Sequence, residues 1–173
     1  MSDYGLGHHA QIVKLFTEHF KGREITGIEI GTAAADLGVD VLNGLPNLKK
    51  LYTIDPYRYS EIDSDRQHYP QIMLDEGKFT AYQRMLPYGD RVTMIILSSD
   101  EAAKLLTVPV DFVWVDGDHT EEQVEKDIDN YYDKVKAGGI FGGHDFHRTP
   151  KLLMTRFANK LYTGDDLTWW VKK

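Results

Sequence analysis

Ile28-Glu29-Ile30-Gly31-Thr32-Ala33-Ala34-Ala35 decides the fold of this chain together with Asp55, which lies 24 positions after Gly31 at the end of Leu51-Tyr52-Thr53-Ile54-Asp55. An apolar strand runs into a turn of small residues, and a second apolar strand ends in a carboxylate. In an open parallel sheet that arrangement binds the ribose of a nucleoside cofactor: the small residues let it approach the backbone, and the acid accepts from the ribose hydroxyls. A dinucleotide site requires G-x-G-x-x-G, so that a pyrophosphate lies on bare backbone at a helix start. Here Thr32 and Ala33 follow Gly31, and the next glycine is Gly38. The turn therefore suits a nucleoside without pyrophosphate, with S-adenosylmethionine as the candidate.

The bulk properties frame this reading. The chain has 173 residues, 42 % of them apolar and 27 % charged, a net charge of −7 and no cysteine. One domain over residues 1–173 is expected, long enough to bury about 70 % of its unfolded surface. The acidic balance without a basic run argues against a nucleic-acid partner. Without cysteine, disulfides and thiolate metal sites are excluded, which suits a reducing cytoplasm. No segment approaches membrane-spanning length, and Met1-Ser2-Asp3-Tyr4 opens no apolar targeting core, so a soluble cytoplasmic protein without membrane partners is expected.

Strand and helix patterns alternate. Residues 9–20 carry Ile12, Val13, Leu15, Phe16 and Phe20 at helical spacing. Apolar runs at 26–30, 51–54, 92–97, 110–115 and 140–142 read as strands, several apolar at every position, as strands buried on both faces are. After Val115, Thr120 and Gln123 predict a capping box, and Val124, Ile128, Tyr131 or Tyr132, and Val135 predict a helical face that Gly138-Gly139 ends. Thr149-Pro150 predicts a helix start reaching about Leu161, and residues 167–171 a final strand. Residues 57–84, rich in tyrosine, follow the ribose acid as a lid or wall, with Tyr57, Tyr59 and Tyr69 against an acceptor or in lid packing. The predicted fold is α/β: a Rossmann-like, doubly wound, mostly parallel sheet with helices on both faces. Ligands bind such sheets at the carboxyl ends of the strands. Gly31, Asp55, Ser98 to Asp100, Asp116 to His119, and His144 to His147 all fall there.

The residues at those ends carry specific chemistry. Glu29 is a carboxylate inside an apolar strand, placed either to organise the turn around the cofactor's amino-acid portion or to meet a structural donor. Ser98, Ser99 or Asp100 is placed to face an adenine edge, Asp100 accepting from its amine, or Ser99 or Asp100 caps the following helix. Asp116-Gly117-Asp118-His119 and Gly142-Gly143-His144-Asp145-Phe146-His147 bring carboxylates and imidazoles to neighbouring strand ends. Asp116, His144 and Asp145 form a donor set for a divalent cation; carboxylates favour magnesium or manganese, and imidazole favours transition metals. His119 or His147 is the alternative, metal-free base.

With these motifs the chain resembles class I S-adenosylmethionine-dependent methyltransferases, of the small-molecule O-methyltransferase group that includes macrocin-type enzymes and cephalosporin hydroxylase relatives. Glu29-Ile30-Gly31-Thr32 is similar to the group's first motif, Ile54-Asp55 to its second, and Gly89-Asp90-Arg91-Val92 leads into the third. Val115-Asp116-Gly117-Asp118-His119-Thr120 and the later Gly142-Gly143-His144-Asp145 are similar to its V-D-G-D-H-[ST] and G-G-H-D. The resemblance implies cofactor contacts from Glu29, Gly31, Thr32, Ala33, Asp55, Ser99, Asp100, Asp116 and Gly117. It implies Asp116 at the methyl-bearing end, with magnesium or another divalent cation on Asp116, His144 and Asp145; with His119 as the base read from the residues, the expected catalytic set is Asp116, His119, His144 and Asp145. It further implies methyl transfer to a small-molecule hydroxyl of sugar or natural-product type, and is compatible with a homodimer. Two departures stand out. Ala35 replaces the motif's last glycine, and one helix and one strand follow Phe146 where the fold usually ends in two strands, a shortened C-terminal end. The rival readings are a non-catalytic cofactor-binding or scaffold protein and an NAD-dependent oxidoreductase.

Overall fold

The computed structural model describes residues 5–61 and 68–173, and side chains from His9 onward. Met1 to Tyr4 and residues 62–67 of the tyrosine-rich segment lie outside the described residues. The chain order is α1 (Gly5–His19), β1 (Ile25–Ile30), α2 (Asp36–Gly44), β2 (Leu48–Ile54), α3 (Gln71–Met85), β3 (Val92–Ile95), α4 (Ser99–Leu105), β4 (Val110–Val115), α5 (Glu121–Tyr131), β5 (Val135–Gly143), α6 (Pro150–Phe157), β6 (Tyr162–Thr163) and β7 (Trp169–Lys172). Among the described residues the seven strands form one sheet in the order β3-β2-β1-β4-β5-β7-β6. All pair in parallel except β7, which runs antiparallel between β5 and β6.

Alternation along the strands sends side chains to two apolar layers. On one face Ile12, Phe16 and Phe20 of α1, Leu37, Val41 and Leu42 of α2, and Ala81 and Met85 of α3 pack on Leu51, Phe112, Trp114 and Ile140. On the other, Ala102 of α4, Val124, Ile128 and Tyr131 of α5, and Leu153 and Phe157 of α6 cover Ile28, Ile30, Val113, Val115 and Phe141. Gly27 makes the first layer fit, because a Cβ there would meet the Phe112 ring at 2.0 Å. The strand order reverses between β1 and β4, so their carboxyl ends open the crevice where such sheets take ligands.

Three expectations change in the structure. The chain after Phe146 supplies two strands: β6 has only two residues, and Tyr162 stacks on Trp170 across the pair, ring centroids 5.7 Å apart. The C-terminal end is short in residues but complete in topology. The helix after Val115 stops at Tyr131, and Val135 already opens β5. Gly138-Gly139 instead form a bulge, because Val110 pairs with Val135 whereas Phe112 pairs with Ile140. Gly138 adopts φ +76° there, and its N–H donates to Lys173 O at 2.8 Å. Finally, α6 ends at Phe157, and residues 158–160 form a separate 3-10 turn.

Candidate active site

Hydrogen bonding continues past the strand ends and aligns the loops that follow them. Gly31 N–H donates to Ile54 O (2.8 Å), Asp116 N–H to Ile30 O (2.7 Å) and His144 N–H to Val115 O (3.0 Å). Gly31 adopts φ +93°, and a Cβ there would lie 2.0 Å from Asp116 O. Only glycine allows this approach between the first turn and the loop after β4. Ala33, Ala35, Tyr57 and Asp145 also have positive φ (45°, 67°, 45° and 57°). Left-handed backbone at non-glycine residues is strained; among the described residues Ala158 at the end of α6 and Leu167 before β7 adopt it as well, so four of the six such residues lie in the loops after β1, β2 and β5.

Asp55 is buried and organises two of these loops. Its Oδ2 accepts from Ala33 N–H at 3.0 Å and its Oδ1 from Tyr57 N–H at 2.8 Å. The Tyr57 hydroxyl then donates to Ala33 O at 2.8 Å. Gln71 at the start of α3 donates to Tyr57 O and accepts from Tyr59 N–H, tying α3 to the same segment.

Two clefts meet at Gly31 and Gly117, which line both. The first, of about 240 Å³, is bounded by Ile30, Ile54, Pro56, Arg58, Tyr59, Ser60, Ser98, Ser99, Asp118, Gln123 and Asp127. The second, of about 380 Å³, is bounded by Ala33, Ala34, Asp55, Tyr57, Tyr69, Met73, Leu74, Gly77, Asp116 and His119. Together they give a path from a cleft of mixed polar and apolar lining to a more apolar chamber under α3, large enough for a small ligand.

Of the expected cofactor residues, Gly31, Ala33, Asp55, Ser99, Asp116 and Gly117 line a cleft. Three do not. Glu29 is buried toward α2; burial raises its carboxyl well above the usual range, as do Asp116 and Asp55, while a hydrogen bond from the Gly38 backbone opposes the rise. Its carboxyl meets a backbone donor of α2, the structural alternative of the two, and it lines neither cleft. Thr32 is buried, with no partner for its hydroxyl among the described residues, and its carbonyl accepts from Ala35 N–H at 2.7 Å. Asp100 is turned onto α5, accepting from Asn130 Nδ2 at 2.8 Å. The cap of α4 is Ser98, in a reciprocal pair with Glu101, and neither Ser99 nor Asp100. Likewise Thr120 caps α5 by accepting from Gln123 N–H at 3.3 Å, but the Gln123 side chain turns away from it. It points inward, donating to Ser99 Oγ (3.1 Å) and Asp127 Oδ1 (3.2 Å). Gln123 and Asp127 belong to the site although neither was expected there.

Beside Gly117 the acid and imidazole groups converge. Asp116, His144 and Asp145 each offer a ligand atom within 4.8 Å of the others. His144 Nε2–H donates to Asp166 O at 2.9 Å, a tautomer assigned from this contact, which leaves Nδ1 facing Asp145 (3.7 Å) and Asp116 (3.9 Å). A ring nitrogen held by a backbone carbonyl while the other faces carboxylates is the usual environment of a metal-ligating histidine. His119 Nε2 makes the tighter contact, 3.0 Å from Asp145 Oδ2 and 3.8 Å from Asp116 Oδ1. His144, then His119, holds the Asp145 carboxyl down at about 2, and Asp145 raises His144 in turn. His147 lies 3.6 Å from Asp145 Oδ1 and is more exposed.

Comparison with known proteins shows the family. A family model described as a methyltransferase domain matches residues 28–146. Among solved structures, the N-methyltransferase NodS from Bradyrhizobium japonicum WM9, in complex with S-adenosyl-L-homocysteine, is 16 % identical, with 98 % of this chain and 86 % of that one covered and a TM-score of 0.66. The O-methyltransferase TomG from Streptomyces achromogenes, in complex with SAM, is 12 % identical, covering 96 % and 79 %, with a TM-score of 0.67. The SAH-bound methyltransferase PaMTH1 of Podospora anserina is 14 % identical, covering 99 % and 88 %, with a TM-score of 0.64. The chain belongs to the methyltransferase-domain family, of the class I S-adenosylmethionine-dependent type.

Proposed function

We propose that this methyltransferase binds S-adenosylmethionine across the two clefts and methylates a hydroxyl group of a small molecule, of sugar or natural-product type. The observation that carries the reading is the meeting of the clefts at Gly31 and Gly117, with Asp116 and His119 lining the second cleft at that junction. Bound there, the cofactor would supply a methyl group on a sulfonium, open to in-line displacement. The nucleoside suits the first cleft, the more polar of the two; Asp55 holds the turn it rests against. The acceptor suits the second cleft, where Tyr69, Met73 and Leu74 offer apolar surface and exclude water.

The protein's own contribution is then positioning and proton removal. His119 lines the acceptor cleft and is held by Asp145, so its imidazole is oriented to take the hydroxyl proton. Asp116, His144 and Asp145 fit a divalent cation, which would lower the pKa of a bound hydroxyl. The reading takes the partner to be a small molecule and the setting to be the cytoplasm, in keeping with a net charge of −7 and the absence of cysteine. Among the described residues no helix is long and apolar enough to cross a membrane.

Methyl transfer from labelled S-adenosylmethionine to a panel of hydroxyl and amine acceptors, with chelator, magnesium or manganese, tests this. Transfer to hydroxyl compounds, lost in Asp116→Asn, is the expected result. Transfer confined to amines, or none to any acceptor, contradicts the hydroxyl assignment.

A further inference from the structure

Helix α3 is apolar on two sides. Ala81 and Met85 are buried against the sheet in the layer of α1 and α2. Ile72, Phe79 and Tyr82, with Leu86 just past the helix end, form a second stripe that is 67, 61, 56 and 63 % exposed. Beside it β3 closes one end of the sheet, pairing with β2 alone among the described residues. Val92, Met94 and Ile96 floor a groove of about 580 Å³, and Phe79, Tyr82 and Leu86 wall it.

Proteins usually protect an edge strand with charges, a bulge or a covering element. Val92-Thr93-Met94-Ile95-Ile96 contains no charged residue, and Ile96 is itself exposed. The exposed parts of Ile72, Phe79, Tyr82, Leu86 and Ile96 amount to roughly 500 Å², the upper end of what a monomer leaves in water. A stable interface takes about 800 Å² from each partner, which this patch reaches with its polar rim. Lys78 lines the groove, and Asp75 balances it at 3.4 Å. In a chain of net charge −7, an apolar face with balanced charges is where a second copy meets least repulsion.

The stripe also reads alike in both directions. Ile72 and Leu86 stand seven residues, about two helical turns, on either side of Phe79. An antiparallel pair of α3 helices centred on Phe79 sets apolar against apolar along its length. The same twofold axis brings two β3 edges together antiparallel. A twofold contact requires a patch that is its own complement, and this one is.

We propose that this face is the interface of a homodimer, in which β3 pairs with its copy to join the two sheets and the outer stripes of α3 pack on each other. The dimer does not depend on the chemistry proposed above. Helix α3 also supplies Met73, Leu74 and Gly77 to the second cleft, so the interface fixes the helix that walls it.

Sedimentation equilibrium across micromolar concentrations tests this, with Phe79→Glu and Leu86→Glu as variants. Both side chains are exposed in a single copy, so the variants keep their fold, which circular dichroism checks. The wild-type protein should be a dimer, and each variant should weaken it by at least about a hundredfold, because every substitution enters twice. The chain has no cysteine, so Phe79→Cys carries a single thiol. A short bismaleimide should link Phe79→Cys to its copy and leave Leu105→Cys, 67 % exposed on α4, unlinked. A wild-type monomer at every concentration overturns the inference, whether the face is then bare or taken by another protein. So does a dimer that survives both substitutions, or one that cross-links equally well through Leu105→Cys. Should a Glu variant fail to fold, the wild-type mass and the two cysteine variants decide.

Discussion

Ala33 and Ala35 hold left-handed backbone where glycine would do so without strain. Ala33 is exposed, so Ala33→Gly removes the strain without loss of buried surface, and should stabilise the protein by about 0.5–1 kcal/mol in thermal or urea unfolding. At Ala35 the methyl is fully buried, and its removal offsets a similar gain. The departure from glycine in this motif thus acts through backbone conformation more than through room. Asp127 makes a pH-dependent prediction. Its folded pKa of about 7 lies above the value of about 3.8 for a free aspartate, so the folded state binds more protons between these values. Stability therefore falls as pH rises from about 4 to 7. Asp100 and Asp118 deepen the effect, and Ser99 and Gln123 moderate it. Asp127→Asn should gain nothing near pH 4 and about 4 kcal/mol above pH 7, read from urea midpoints across pH. Gly31 and Asp55 were legible in the sequence because a small-residue turn and a strand-end acid each have few other uses. Asp127 was hidden within a stripe read only for its apolar members, and Asp100 misled because nearness to a strand end does not fix the side to which a helix turns its side chain.

At the scale of elements, the short C-terminal hairpin supports the candidate metal-binding group. Asp166 O, before β7, accepts from His144, and Trp169 Nε1–H donates to His144 O at 3.1 Å. Trp169→Phe keeps an aromatic ring beside Phe157 and Phe141 but leaves that carbonyl without its donor. It should lower stability by about 1–2 kcal/mol in chemical denaturation. The strands of the parallel core were readable from their apolar runs: β4 matches its run, β1, β2 and β5 start one, three and five residues earlier, and β3 ends two residues sooner. β6 was not, since Tyr162 and Thr163 are both exposed and the strand exists through pairing with β7. The bulge at Gly138-Gly139 was read as a helix stop because adjacent glycines serve either purpose, and only the register between β4 and β5 distinguishes them.

Over the whole molecule, the sheet order and the reversal between β1 and β4 place five loops at one edge, and two helical layers pack on the sheet that carries it. Alternation of strand and helix was enough to predict this frame, because right-handed crossovers leave few alternatives. Which side chains face each cleft depends on helix rotation and on the segment after β2, neither of which strand patterns determine. The central claim is that this edge accommodates a nucleoside sulfonium rather than a dinucleotide, and calorimetric titration of the purified protein with S-adenosylmethionine, with NAD in a parallel run, tests it most directly. Saturable binding of S-adenosylmethionine alone, weakened in a folded Asp55→Ala variant, is the predicted result. Binding of NAD, or no binding of S-adenosylmethionine to the folded protein, would contradict it.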